Sequence, residues 1–139
     1  HFDWVHSVDR IKTAQRLASL RPEDHPALNV LIQVNLEGEA SKSGAPPQNV
    51  MPLATAIADQ PRLRLRGLMA IPSPSNDFDH QRQIFSRLRD IRDELIDQDY
   101  PIDCLSMGMT DDLEAAIAEG ATHVRIGTAI FGARRPRHQ

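Results

Sequence analysis

The sequence predicts an α/β fold on a parallel sheet, either open and doubly wound or curled as part of a barrel. Three observations lead there. Short apolar runs alternate strictly with amphipathic stretches of helical period. Polar or glycine-containing loops follow the apolar runs, as expected where a site forms at strand carboxyl ends. The 139 residues suffice for one domain with a core, yet fall short of the roughly 250 typical of an eight-stranded α/β barrel.

The elements follow in order. Trp4-Val5-His6-Ser7-Val8 favours a strand, and Asp9 is placed to cap a helix over Arg10–Leu20, where Ile11, Ala14, Leu17 and Ala18 recur at helical spacing. Asn29–Asn35 reads as a buried strand, with a polar loop containing Ser41-Lys42-Ser43-Gly44 and a helix from about Gln48 to Ala58. Leu63–Ala70 is the next strand, Ile71–Asn76 its loop, and Asp77–Asp97 a long amphipathic helix. Cys104-Leu105-Ser106 then leads through Met107–Thr110 into a short helix ended by Gly120, and His123–Ile126 forms a last strand. The expectation is five strands and four helices in one domain over residues 1–139, with 133–139 a basic tail. No solenoid-period repeat accompanies them.

Composition narrows the function classes. Hydrophobic residues at 40% and charged residues at 25% are ordinary for a globular chain. A net charge of −3 disfavours general binding to nucleic acid or acidic membranes, and the tail carrying Arg134, Arg135, Arg137 and His138 reads as solvated. The single Cys104 and the absence of a membrane-length apolar run lead us to expect a reducing compartment, most simply the cytoplasm. The opening His1-Phe2-Asp3-Trp4, without initiator Met or signal segment, leads us to expect a preceding N-terminal part.

Candidate site residues are those just after the apolar runs: Asn35, Met69, Ser106 to Met109, and Gly127 to Thr128. Ser106-Met107-Gly108 opens toward a helix, and Gly127-Thr128-Ala129 joins unhindered backbone to a hydroxyl, so free N–H groups there suit a phosphate. Each alone reads as an ordinary tight turn. Asp111 and Asp112 would repel a phosphate at close range, and with Glu114 they are expected to serve as caps facing away from it. Arg125 interrupts an apolar strand and needs a partner, which is either a ligand or a carboxylate elsewhere in the core. Gln33 and Asn35 share a strand face, as do Arg62, Arg64 and Arg66, the latter expected to be solvated or at an edge. The histidines lack helical metal-ligand spacing, Cys104 reads as core, and no metal is expected.

Three segments carry a resemblance: Leu65-Arg66-Gly67-Leu68-Met69-Ala70-Ile71-Pro72, Leu105-Ser106-Met107-Gly108-Met109-Thr110-Asp111-Asp112 and Val124-Arg125-Ile126-Gly127-Thr128-Ala129-Ile130-Phe131-Gly132. With Val34-Asn35 and Ser41-Lys42-Ser43-Gly44 in order, they resemble the pyridoxal-phosphate homeostasis proteins, the YggS/PROSC family, over nearly the whole chain. The resemblance implies an incomplete parallel (β/α) barrel of the alanine racemase N-terminal domain type and pyridoxal 5′-phosphate as cofactor. The family's cofactor-attaching lysine lies on a first barrel strand expected to precede His1, and neither Lys12 nor Lys42 sits in that motif, so covalent attachment there is not expected. Carried over by motif, Ser106, the Met107–Gly108 backbone, Gly127 and Thr128 resemble phosphate ligands. Arg125 resembles the partner of the pyridine nitrogen, and Asn35 and Met69 would line the pocket. The implied function is non-catalytic cofactor binding in vitamin B6 and amino-acid homeostasis. The alternatives are a racemase-like enzyme, for which no acid/base pair stands out, and a barrel binding another phosphorylated metabolite. Open barrel edges invite self-association.

Overall fold

The computed structural model describes residues 3–38 and 43–125. Four βα units follow one another: β1 (Trp4–Val8), α1 (Ile11–Leu20), β2 (Leu28–Gln33), α2 (Pro47–Ala58), β3 (Leu63–Met69), α3 (Phe78–Asp97), β4 (Cys104–Ser106) and α4 (Leu113–Ala118). The strands pair in the order β1-β2-β3-β4, every pair parallel. A doubly wound sheet reverses its strand order at a switch point, whereas this one advances by one neighbour each time, as a barrel wall does. That order settles the alternative left open by periodicity alone.

Four strands appear among the described residues where five were expected. The segment after α4 reaches the correct place, since Ser106 and His123 form a parallel bridge and Met107 N donates to His123 O at 3.0 Å. The ladder then breaks at Gly108, whose φ of +102° turns the chain so that Arg125 N meets Gly108 O at 2.9 Å. Ile126, the expected end of that strand, lies outside the described residues, as does the tail 133–139.

One sheet face carries the main core. Val30, Ile32, Leu63, Leu65, Leu68 and Leu105 pack against Ala14, Ala18, Leu53, Ile57, Phe85, Leu88 and Leu95 of the helices. Complete burial of side chains such as Phe85 and Leu88 contributes about 1.5–3 kcal/mol each. The opposite face is the barrel-interior side, and its small cluster of Leu31, Met69, Cys104 and Trp4 consists of strand residues only. Gly67 belongs where β3 and β4 come closest, for a Cβ there would stand 1.8 Å from Cys104 O.

Two local expectations are corrected. Asp9 does not cap α1: Arg10 occupies the N-cap position without a side-chain cap bond, and Asp9 Oδ2 accepts from Gly44 N at 3.0 Å, tying down the loop before α2. Arg62, Arg64 and Arg66 do not share a solvated role: Arg62, just before β3, donates to Arg21 O at 2.8 Å. Arg64 is exposed, but Arg66 is the extra residue of a bulge, since Leu65 pairs with Val30 and Gly67 with Leu31. Its guanidinium makes a two-bond contact with Asp103, at 3.0 and 2.9 Å, and stacks 4.6 Å from the Trp4 ring. Asp77 does cap α3, accepting from Asp79 N and His80 N, and Gly120 follows α4 at φ +96°.

Candidate functional site

Strand register places a row of residues across the carboxyl end of the sheet. Gln33 pairs with Met69, Met69 with Ser106, and Ser106 with His123. Met69 and Ser106, chosen from the sequence, are therefore neighbours on the sheet. Asn35 lies just beyond β2, where its N donates to Ala45 O at 2.9 Å and its Oδ1 accepts from Gly38 N at 3.2 Å. It borders a shallow cleft with Val34, Ala70 and Ile71.

Ser106 is the hub. It is fully buried at the end of β4. Arg125 Nη1 donates to its Oγ at 2.7 Å, Arg125 Nη2 donates to Ala70 O at 3.0 Å, and His6 Nδ1 lies 3.2 Å from the same Oγ. Among the described residues no carboxylate comes within ion-pair distance of Arg125. The carboxylate partner that the sequence left open is thus not found there, and both partners of this half-buried guanidinium are neutral oxygens. Burial pushes the Arg125 pKa down, and the negative charge of Asp112 opposes that shift.

The loop after β4 is more engaged than expected. Met107 N is taken by His123 O, and Met109 N donates to Asp112 Oδ1 at 2.6 Å, while Gly108 N has no partner among the described residues. Gly108 is required by packing as well as by its turn, because a Cβ would meet Ala116 Cβ at 2.6 Å. Asp112, not Asp111, holds the N-cap position of α4, and it makes no side-chain cap bond. Its carboxylate turns back onto the loop and acts on Arg125, so it does not face away as a simple cap would. Gly127 and Thr128 lie outside the described residues.

Sequence reasoning missed a ring cluster beside this hub. His6 and His123 stand 5.7 Å apart between centroids, and Trp4 lies 6.1 Å from His6 and 5.7 Å from His123. Burial, then the neighbouring His123 and Arg125, hold His6 below the ordinary imidazole range. The available signal was the two-residue spacing of Trp4 and His6, which puts both on one strand face. Burial and the adjacent Asp103 charge push the Cys104 thiol up, consistent with an inert core residue. No group of three or more His, Cys, Asp or Glu able to hold a metal occurs among the described residues.

Arg125 and the buried Ser106 hydroxyl meet at the strand ends, and among the described residues the guanidinium is bonded to neutral oxygens, a pairing that fits a phosphate-bearing group. A family model described as the alanine racemase N-terminal domain matches residues 1–135. The chain is 60% identical over 134 residues to the pyridoxal phosphate homeostasis protein of Pseudomonas aeruginosa, covering 96% of this chain and 57% of that protein. To the protein of the same name from Escherichia coli K12 it is 53% identical over 135 residues, with the same two coverages. Among solved structures, an unknown protein from Bifidobacterium adolescentis superposes with a TM-score of 0.85 at 41% identity, over 93% of this chain and 53% of that one. PipY of Synechococcus elongatus, solved with pyridoxal phosphate bound, superposes with a TM-score of 0.84 at 33% identity, over 95% and 62%. The chain spans 57% of the length of these two curated relatives.

Proposed function

The chain belongs to the alanine racemase N-terminal domain family, and from that membership we propose that it forms the phosphate and ring-nitrogen side of a pyridoxal 5′-phosphate pocket serving cofactor homeostasis, not catalysis. The observation that carries this reading is the Arg125–Ser106 pair at the end of β4, a half-buried cation on a buried hydroxyl with no carboxylate at ion-pair distance among the described residues. Ser106 and Gly108 N would hold phosphate oxygens, joined by Gly127 and Thr128 through their resemblance to the family's motif. Met69 and Asn35 would border the ring.

Arg125 is the partner assigned to the pyridine nitrogen. To take that role it releases Ser106, to which it is bonded at 2.7 Å. Bound pyridoxal 5′-phosphate supplies an aldehyde for amines and an electron-withdrawing ring, whose pull is weakened when an always-charged guanidinium keeps the nitrogen unprotonated. That favours reversible holding over racemisation or transamination. Lys12 is exposed on α1, on the helix side of the sheet, so covalent attachment through it is not proposed. No helix among the described residues is long and apolar enough to cross a membrane. A cytoplasmic setting suits the free, buried Cys104.

The test is equilibrium titration of the chain with pyridoxal 5′-phosphate and separately with inorganic phosphate, followed by absorbance and calorimetry. Arg125→Ala should weaken the cofactor by about 10- to 100-fold, the size of a lost hydrogen bond to a charged group. Unchanged affinity in that variant, or no binding by the parent chain, overturns the assignment.

A further inference from the structure

Four polar residues are buried among the described residues: Gln33, Gln81, Ser106 and Glu119. Three of them have side-chain partners. Gln81 Nε2 donates to Ser75 O at 2.5 Å and to Asp111 O at 3.4 Å, Arg82 and Arg89 hold Glu119, and Arg125 and His6 meet Ser106. The Gln33 carboxamide makes no hydrogen bond to any described residue, although only 9% of Gln33 is exposed. Every fully buried polar side-chain atom among the described residues does have a partner. What remains exposed of Gln33 is therefore the amide tip, carried on a packed stem.

That tip opens onto the proposed pocket. Val30 and Ile32 lie in the main core and Leu31 in the inner cluster, so Gln33 projects to the inner face by alternation. Asn29, on the same face, is bonded to Asp3 O and to Arg66. Gln33 pairs with Met69, which pairs with Ser106, so β2 stands two strand spacings, about 10 Å, from the proposed phosphate ligand. A buried amide without a protein partner at the carboxyl end of a strand is accounted for by a polar ligand.

The phosphate-bearing arm, the nitrogen and the phenolic oxygen occupy alternate positions of a pyridoxal ring. The first two are assigned to Ser106 and Arg125, whose guanidinium also reaches Ala70 O just beyond β3. The oxygen is left for the next strand, β2, across Met69, whose thioether has no N–H or O–H to offer. We propose that Gln33 is a specificity-determining residue that contacts the phenolic oxygen of pyridoxal 5′-phosphate. A carboxamide suits either form of that group, donating from Nε2 to the phenolate or accepting at Oε1 from the phenol. The inference rests on the proposed pocket and names the side chain that reads its ring, a contact that phosphate alone does not make.

Equilibrium titrations with pyridoxal 5′-phosphate, with its analogue methylated on the phenolic oxygen and with inorganic phosphate test the assignment. Gln33→Met keeps the side-chain volume nearly constant and removes the amide. It should weaken the cofactor about tenfold, the size of one hydrogen bond to a charged group. Binding of the methylated analogue and of inorganic phosphate should not change. The urea midpoint of the variant should not fall, because no hydrogen bond among the described residues is lost. A lower midpoint makes Gln33 a structural partner and overturns the inference. So does a cofactor affinity equal to wild type, or an equal loss for the methylated analogue or for inorganic phosphate, each of which leaves the proposed function standing. Failure of the parent chain to bind the cofactor removes the proposed function itself.

Discussion

Gly67 shows how narrowly backbone approach constrains a single residue. A Cβ there would meet a backbone carbonyl at 1.8 Å, so β3 and β4 must move apart to admit any side chain. Gly67→Ala should cost about 3 kcal/mol, the upper range for overpacking. Gly120→Ala, where the nearest atom is the tip of Arg92 at 3.8 Å and only the positive φ is penalised, should cost about 1 kcal/mol. Urea midpoints of the two variants check the ranking, and equal losses would refute it. At this scale the sequence was legible where chemistry and strand position coincide: Ser106 and Met69 sit where apolar runs end and pair on the sheet, and Arg125, noticed because it interrupts an apolar run, meets Ser106. It was less legible for residues that meet only in space. His6 and His123 were weighed as metal ligands by local spacing, whereas their contact is made across the sheet interior. Asp9 and Asp112 are cap-competent in sequence, but their choice of the Gly44 and Met109 N–H groups depends on loops that periodicity does not describe.

Among elements, α4 depends most on its neighbour. Six residues are too few for a helix to persist alone. Glu119, just past its end and nearly fully buried, is held by Arg82 and Arg89 two turns apart on α3. Glu119→Gln should lower stability by about 2 kcal/mol through loss of charged hydrogen bonds. It should also speed amide exchange in α4 and the 108–112 loop more than in β2. Uniform acceleration across the chain would contradict a local clamp. Element type was readable throughout, because period 2 and period 3.6 alternate cleanly. The fifth expected strand, His123–Ile126, is met among the described residues only by the parallel bridge of His123 to Ser106, its end lying outside them.

At the scale of the whole molecule, alternation alone could not choose between an open sheet and a barrel wall, since both are built from βα units; the sequential strand order decides it. The resulting wall has no pairing partner for the outer edge of β1 among the described residues, and its inner cluster has no helix layer. The chain should therefore self-associate as its concentration rises from micromolar to millimolar. Light scattering after size exclusion measures this, and a monomer mass at every concentration would rule it out. The inner face also carries the chain's one tryptophan, Trp4, stacked by Arg66 and set between His6 and His123. Indole fluorescence from this chain thus originates at a single point, beside the face where the cofactor is proposed to sit, and its binding becomes observable in emission without any attached dye.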